Sequence, residues 1–175
     1  SSNTNGAARG GEITLSGSNL LASSSAVSTR ASGTGNSGNI QISAPLGIEL
    51  RQNAGLTTNS AQSQGGNLSV TAGSTSVLQD GAISASAGAA GAGGNLNLSF
   101  DRVVLERAGL LALADAGNGG RIDLAADAVV QDFSSRISAD SNTGTAGVVN
   151  IVVPESDVSA VIAPQNANIQ DVPTL

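Results

Sequence analysis

The chain has no cysteine, histidine, lysine, methionine, tryptophan or tyrosine, and two phenylalanines. Each absence removes a class of function. Without cysteine there are no disulfides, thiolate metal sites or thiol nucleophiles. Without histidine the Ser-His-Asp and Cys-His constellations cannot be assembled within this chain, and zinc would be left with oxygen ligands alone. Without lysine, and with no following helix pattern, glycine runs such as Ala92-Gly93-Gly94 do not match a phosphate-binding loop. The seven basic residues are arginines scattered along the sequence, and the formal net charge is −6. There is no basic stripe and no aromatic platform for stacked bases, which disfavours nucleic acid as a partner and an anionic membrane as a surface. No apolar run approaches the roughly 20 residues that span a bilayer, so no membrane insertion is expected. The start, Ser1-Ser2-Asn3, shows no secretory signal and reads as a piece cut from something longer. These absences lead to the expectation of no catalytic residues, no metal and no cofactor.

What is present is a period. Glycines open short apolar alternations at Gly11, Gly38, Gly66, Gly94, Gly120 and Gly147, at intervals of 27, 28, 28, 26 and 27 residues. Two and four residues after each anchor comes an apolar pair: Ile13/Leu15, Ile40/Ile42, Leu68/Val70, Leu96/Leu98, Ile122/Leu124 and Val149/Ile151. Composition alone, rich in Gly, Ser, Ala and Asn, would point toward disorder. A disordered chain has no reason to return Ile, Leu or Val to the same two places in every repeat, and a period of this length is the mark of a solenoid.

One repeat shows the plan. Leu68-Ser69-Val70-Thr71-Ala72 alternates as a half-buried strand does. Gly73-Ser74 break it, Val77-Leu78 form a second apolar segment, Asp80-Gly81 signal a turn with glycine taking the positive φ, and Ile83-Ser84-Ala85 form a third strand. Second strands are expected near Leu20-Leu21, Ile48/Leu50, Val103/Leu105 and Val129-Val130, and third strands near Val27, Leu56, Leu111/Leu113 and Ile137. The fold class is therefore all-β: a parallel β-helix of about six coils with three short strands per coil, about 29 Å long at a strand spacing of about 4.8 Å. Asn39, Asn67 and Asn95 follow successive anchors and could form a hydrogen-bonded ladder or simply tolerate the turn. Residues 10–153 are read as the repeats, 1–9 as a tail or the remnant of an upstream coil, and 154–175 as an exit segment, entered at Pro154, that partly covers the last coil.

The segments Gly65-Gly66-Asn67-Leu68-Ser69-Val70 and Gly38-Asn39-Ile40-Gln41-Ile42 resemble the filamentous-haemagglutinin-like passengers of two-partner secretion systems, in particular repeat-rich cyanobacterial surface proteins of that type. The strands Ile83-Ser84-Ala85-Ser86 and Ile137-Ser138-Ala139 and the exit Pro154-Glu155-Ser156-Asp157 carry the same likeness. It covers roughly residues 10–164. The resemblance implies a right-handed coil, export through an outer-membrane pore partner, and a secreted or cell-surface location. It also implies adhesive contact with surface glycans or other cells. The family's N-terminal secretion domain has no counterpart in this sequence.

The remaining candidates for chemistry are carboxylates. Asp115, Asp123, Asp127, Asp132 and Asp140 lie close in sequence with Arg121 and Arg136 among them, and Asp123 and Asp127 are the candidate binding residues. Three uses compete: a polysaccharide-binding or polysaccharide-cleaving cluster, loose calcium binding, and a solvated acidic face that keeps a flat β surface from associating. No Gly-Gly-x-Gly-x-Asp calcium repeat occurs. A stripe of short side chains, Ser28, Thr57, Ser84, Ala112, Ser138 and Ser159, raises ice binding as a lesser alternative. The expected function is a structural and adhesive segment, a rod-like spacer and display surface, with a carbohydrate-active β-helix as its rival.

Overall fold

The computed structural model describes residues 1–89 and 91–154. The anchor glycines explain why the coils can stack. A Cβ on Gly66 would run into the carbonyl oxygen of Gly38, one on Gly94 into that of Gly66, and the same holds at Gly38, Gly120 and Gly147. Backbone lies on backbone in this column, so any side chain would force the coils apart.

Coil one contains β2 (Ile13–Ser16), β3 (Leu20–Ser23) and β4 (Ala26–Ala31); coil two contains β5 (Ile40–Ala44), β6 (Ile48–Arg51) and β7 (Gly55–Ser60). Coils three to five hold β8 (Leu68–Gln79) and β9 (Ala82–Ala87), β10 (Leu96–Glu106) and β11 (Gly109–Leu111), and β12 (Arg121–Gln131) and β13 (Arg136–Ser138). Coil six begins with β14 (Val148–Val152), and β1 (Ser2–Thr4) stands before coil one, paired with β4. All strand pairs are parallel. One sheet runs β1-β4-β7-β9-β11-β13; the other runs β14-β12-β10-β8-β5-β2, with β3 and β6 joined to it through β8. The described residues contain no helix, and the parallel β-helix expected from the period is the fold.

The apolar pairs stack as columns. Ile13, Ile40, Leu68, Leu96, Ile122 and Val149 form one; Leu15, Ile42, Val70, Leu98, Leu124 and Ile151 form the next. Away from the two ends these side chains are fully or almost fully buried. Phe100 sits in a third column whose other members are Ala44, Ala72 and Ala126, and the small neighbours above and below make room for its ring. Phe133, the other aromatic, is wholly exposed on the turn Asp132–Ser135.

The coil keeps three sides, but two of its strands merge in coils three to five. In coils one and two the first corner separates two strands; in coil two Pro45 has no N–H to give to a ladder and Gly47 has φ 116°. In the later coils the bend lies inside one continuous strand, and β8 carries a bulge there relative to β10. Gly73 and Ser74 together face Asp101, Ser74 takes φ 56°, and its N–H donates to the Asp101 carboxylate at 2.6 Å.

Other local expectations also shift by a residue. Of Val77-Leu78 only Leu78 points inward; Ser76 takes the other inward place, fully buried, its Oγ accepting the Ile48 N–H at 3.1 Å. Adjacent strand residues face opposite ways, so Leu21 and Val130 are likewise turned out, 64% and 60% exposed. The positive φ at Asp80-Gly81 belongs to Asp80 (53°), which stacks in a corner with Asn53 (63°) and Arg107 (48°). Asp and Asn tolerate this region better than most residues, and Arg107 is fixed there by an ion pair to Asp80 at 2.6 Å. In the third strand of coil four the inward residue is Leu110, paired with Ile83 and Ile137, so Leu111 continues the outward stripe and Ala112 is fully buried. Ser159 and the exit segment from Glu155 onward lie outside the described residues.

Candidate functional site

The first face of the rod, formed by β2, β5 and the opening halves of β8, β10 and β12 together with β14, has an outward column between its two inward apolar columns. Its members are Thr14, Gln41, Ser69, Asn97, Asp123 and Asn150. Every one carries a hydrogen-bonding side chain. The next outward column is Ser16, Ser43, Thr71, Ser99, Ala125 and Val152. Over coils three to six the two columns border a shallow trough of about 320 Å³ whose lining includes Thr71, Asn97, Ser99, Asp123, Asn150 and Val152.

Asp123 sits near the middle of this trough, held from two sides. Arg121, two residues earlier on the same strand, donates from Nε at 2.5 Å and from Nη2 at 2.8 Å, and Asn150 Nδ2 in the coil above donates at 3.2 Å. These bonds hold the Asp123 carboxyl below its ordinary value, with Arg121 the leading cause. At neutral pH it is a carboxylate already matched by a guanidinium, so the trough presents hydrogen-bonding groups with little local net charge.

Beside the trough runs the asparagine ladder. Asn39 Oδ1 accepts the backbone N–H of Asn67 at 3.0 Å, Asn67 Oδ1 that of Asn95 at 3.2 Å, and Asn95 Oδ1 that of Arg121 at 3.1 Å. The bonds run from side chain to backbone, not between amides. Each asparagine therefore ties its own coil to the next and supports the strand that carries the trough.

The five clustered aspartates are not brought together. Asp127 is exposed beyond the trough, opposite Asp101 at the bulge. Asp132 caps a corner, accepting Arg107 N–H at 3.1 Å and Ser135 Oγ at 2.6 Å. Asp115 accepts from Asn142 Nδ2 at 3.2 Å, and Asp140 pairs with Arg136 at 2.8 Å and Ser138 at 2.5 Å, both at corners beyond the third strands. Of the five, Asp123 alone lines the trough. Among the described residues no group of three His, Cys, Asp or Glu side chains could hold a metal ion. A larger groove of about 460 Å³ on the third face is floored by Ala26, Gly55, Ala82 and Gly109 and offers a smooth, mostly apolar surface.

Reading the sequence for carboxylates found Asp123 and missed its partners Asn97 and Asn150. The signal was the residue between each apolar pair, polar in all six repeats. Comparison with family models, curated proteins and solved structures finds no match to this chain.

Proposed function

We propose that this chain is a structural and adhesive segment of an exported bacterial surface protein, a rod that spaces and displays its outward faces at a cell surface. The observation that carries the reading is the unbroken parallel stacking, from β1 to β14, of coils whose interior is apolar and whose outward columns are short and polar. Such a body can be lengthened by adding coils and shows the same face over its whole length. The likeness of the repeats to two-partner secretion passengers supports export, with an outer-membrane pore as the partner during transit. The carboxylates favour an architectural role, since Asp80, Asp123 and Asp140 are paired with arginine and Asp132 caps a turn.

The test is excision. Cells producing the parent protein without residues 10–153 are compared with intact cells for surface labelling by an antibody to the rod and for attachment to other cells. Loss of both labelling and attachment is expected. Unchanged attachment, or polysaccharide cleavage by purified protein that disappears with Asp123→Asn, sinks the reading.

A further inference from the structure

The trough on the first face has a chemistry that narrows its ligand, and we infer that it binds a neutral polysaccharide laid along the rod axis. This rests on the adhesive reading of the rod and adds to it a place and a partner class. Four observations meet here.

The first is the kind of group on offer. Asn97 and Asn150 each present an amide with both donor and acceptor, Thr71 and Ser99 present hydroxyls, and Asp123 presents acceptors. Sugar hydroxyls donate and accept, so this mixture can satisfy them in either role. The second is charge. Arg121 neutralises Asp123, no other charged side chain lines the trough, and the chain as a whole carries −6. A polyanion meets a repelling field and no cationic patch, and a polycation finds no free carboxylate in the trough.

The third is the apolar strip. Ala125 and Val152 stand side by side in the second outward column, Val152 being 55% exposed, and flank the polar groups along one edge. A pyranose ring has an apolar C–H face beside its hydroxyl rim, and a strip of this kind gives that face a place to rest without an aromatic ring. The fourth is repetition. The column places a polar side chain at every coil, about 4.8 Å apart along the axis. A polymer of sugar units meets a hydrogen-bonding side chain of this column at each successive coil, so weak contacts add through linkage. A peptide fits less well. The trough lies on a sheet face, where backbone groups are paired between coils, and offers no free edge for strand addition.

The test is affinity electrophoresis of the purified chain in native gels cast with dextran, hydroxyethyl cellulose or galactomannan, and with polygalacturonate as the anionic comparison. Retardation by at least one neutral polymer and none by polygalacturonate is expected. Asn97→Leu and Asn150→Leu each weaken the retardation at least five-fold, while Asn59→Leu, exposed on the third face, leaves it unchanged. If Asn97→Leu loses the β-sheet circular dichroism, Asn97→Ala carries the same test with a shorter side chain. No retardation in any neutral gel, retardation by polygalacturonate alone, or retardation indifferent to both trough variants overturns the inference. A chain that fails in the gels while its parent still labels and attaches at the cell surface leaves the rod reading intact, so the two failures are distinguishable.

Discussion

The first two coils and the three that follow close the same corner by different means. To tie the third strand to the next anchor glycine, coils one and two use a buried threonine of that strand. Thr29 Oγ1 donates to the Gly38 carbonyl at 2.8 Å and Thr58 Oγ1 to the Gly66 carbonyl at 2.8 Å. Coils three to five place alanine there and join backbone to backbone. The N–H groups of Gly94, Gly120 and Gly147 donate to the carbonyls of Ala85, Ala112 and Ala139 at 3.0, 2.8 and 2.7 Å. The glycine is common to both halves and the bridging group is not. The period therefore records a backbone requirement, and side chains adapt to whatever that backbone leaves unpaired.

The largest expected effect tests what the halves share. Gly66→Val and Gly120→Val each put a branched side chain where a carbonyl oxygen of the coil below already lies. The oxygen is backbone of the stacked coil and can give way only if the coils move apart, so each variant should lose about 3 kcal/mol or more, read as a shifted urea midpoint or as failure to fold. A tolerated substitution in one half would show that the two halves differ in more than their corners.

A smaller effect tests where they differ. Thr58→Val keeps the shape and removes the hydroxyl from the buried Gly66 carbonyl, at a cost of about 1–3 kcal/mol. Ala112→Thr brings a hydroxyl and a methyl to a corner already closed by Gly120, with a similar loss of about 1–3 kcal/mol from overpacking. If chemical denaturation finds both variants neutral, the two corner designs are interchangeable.

Smaller again is the ladder that crosses the boundary between the halves. Asn67→Ala removes one exposed bond between coils three and four, from the Asn95 N–H to Asn67 Oδ1, and should cost about 0.5–1.5 kcal/mol. The clearest readout is hydrogen exchange, where the Asn95 amide loses protection ahead of its neighbours.

The smallest effect is in pH. Asp80, Asp123, Asp132 and Asp140 all belong to coils three to five, and each carboxyl is held below the ordinary 3.8. Arg107 lowers Asp80, Arg121 lowers Asp123, the Ser135 hydroxyl lowers Asp132, and Ser138 with Arg136 lowers Asp140. A carboxyl lowered by folding contributes stability above its unfolded value and loses that contribution as pH falls through the folded value. The urea midpoint should stay level from neutral pH down to about 4 and decline below it. Asp80→Asn combined with Asp140→Asn should flatten that decline.

Much of this fold was legible because its strongest constraint, glycine under carbonyl, leaves a bare letter at a fixed spacing. The inward Ile, Leu and Val columns were legible for the same reason. Positions beside the bulge were not. Gly73-Ser74 against Asp101 is a two-for-one match that a simple period cannot register, and it helped hide the inward place of Ser76. Leu110 and Leu111 are both apolar and adjacent, so their facing is decided by register with Ile83 and Ile137, which sequence alone does not supply. The trough was half legible. Asp123 attracts notice as a charge, whereas Asn97 and Asn150 matter through a shared column, visible only once the repeats are laid over one another.

The asparagine ladder and the strand bonds beside it point along the rod. A pull on the two ends of the chain therefore loads the bonds of the terminal coil in series, like a zip fastener, and leaves deeper coils unloaded until their turn. Each coil that peels away frees about 27 residues, or roughly 90 Å of slack. In an optical trap the expected record is a sawtooth of near-equal steps, and a single all-or-none extension would contradict it. A body built this way gives ground one tooth at a time, so a sustained pull is met by successive small yields and not by a single release.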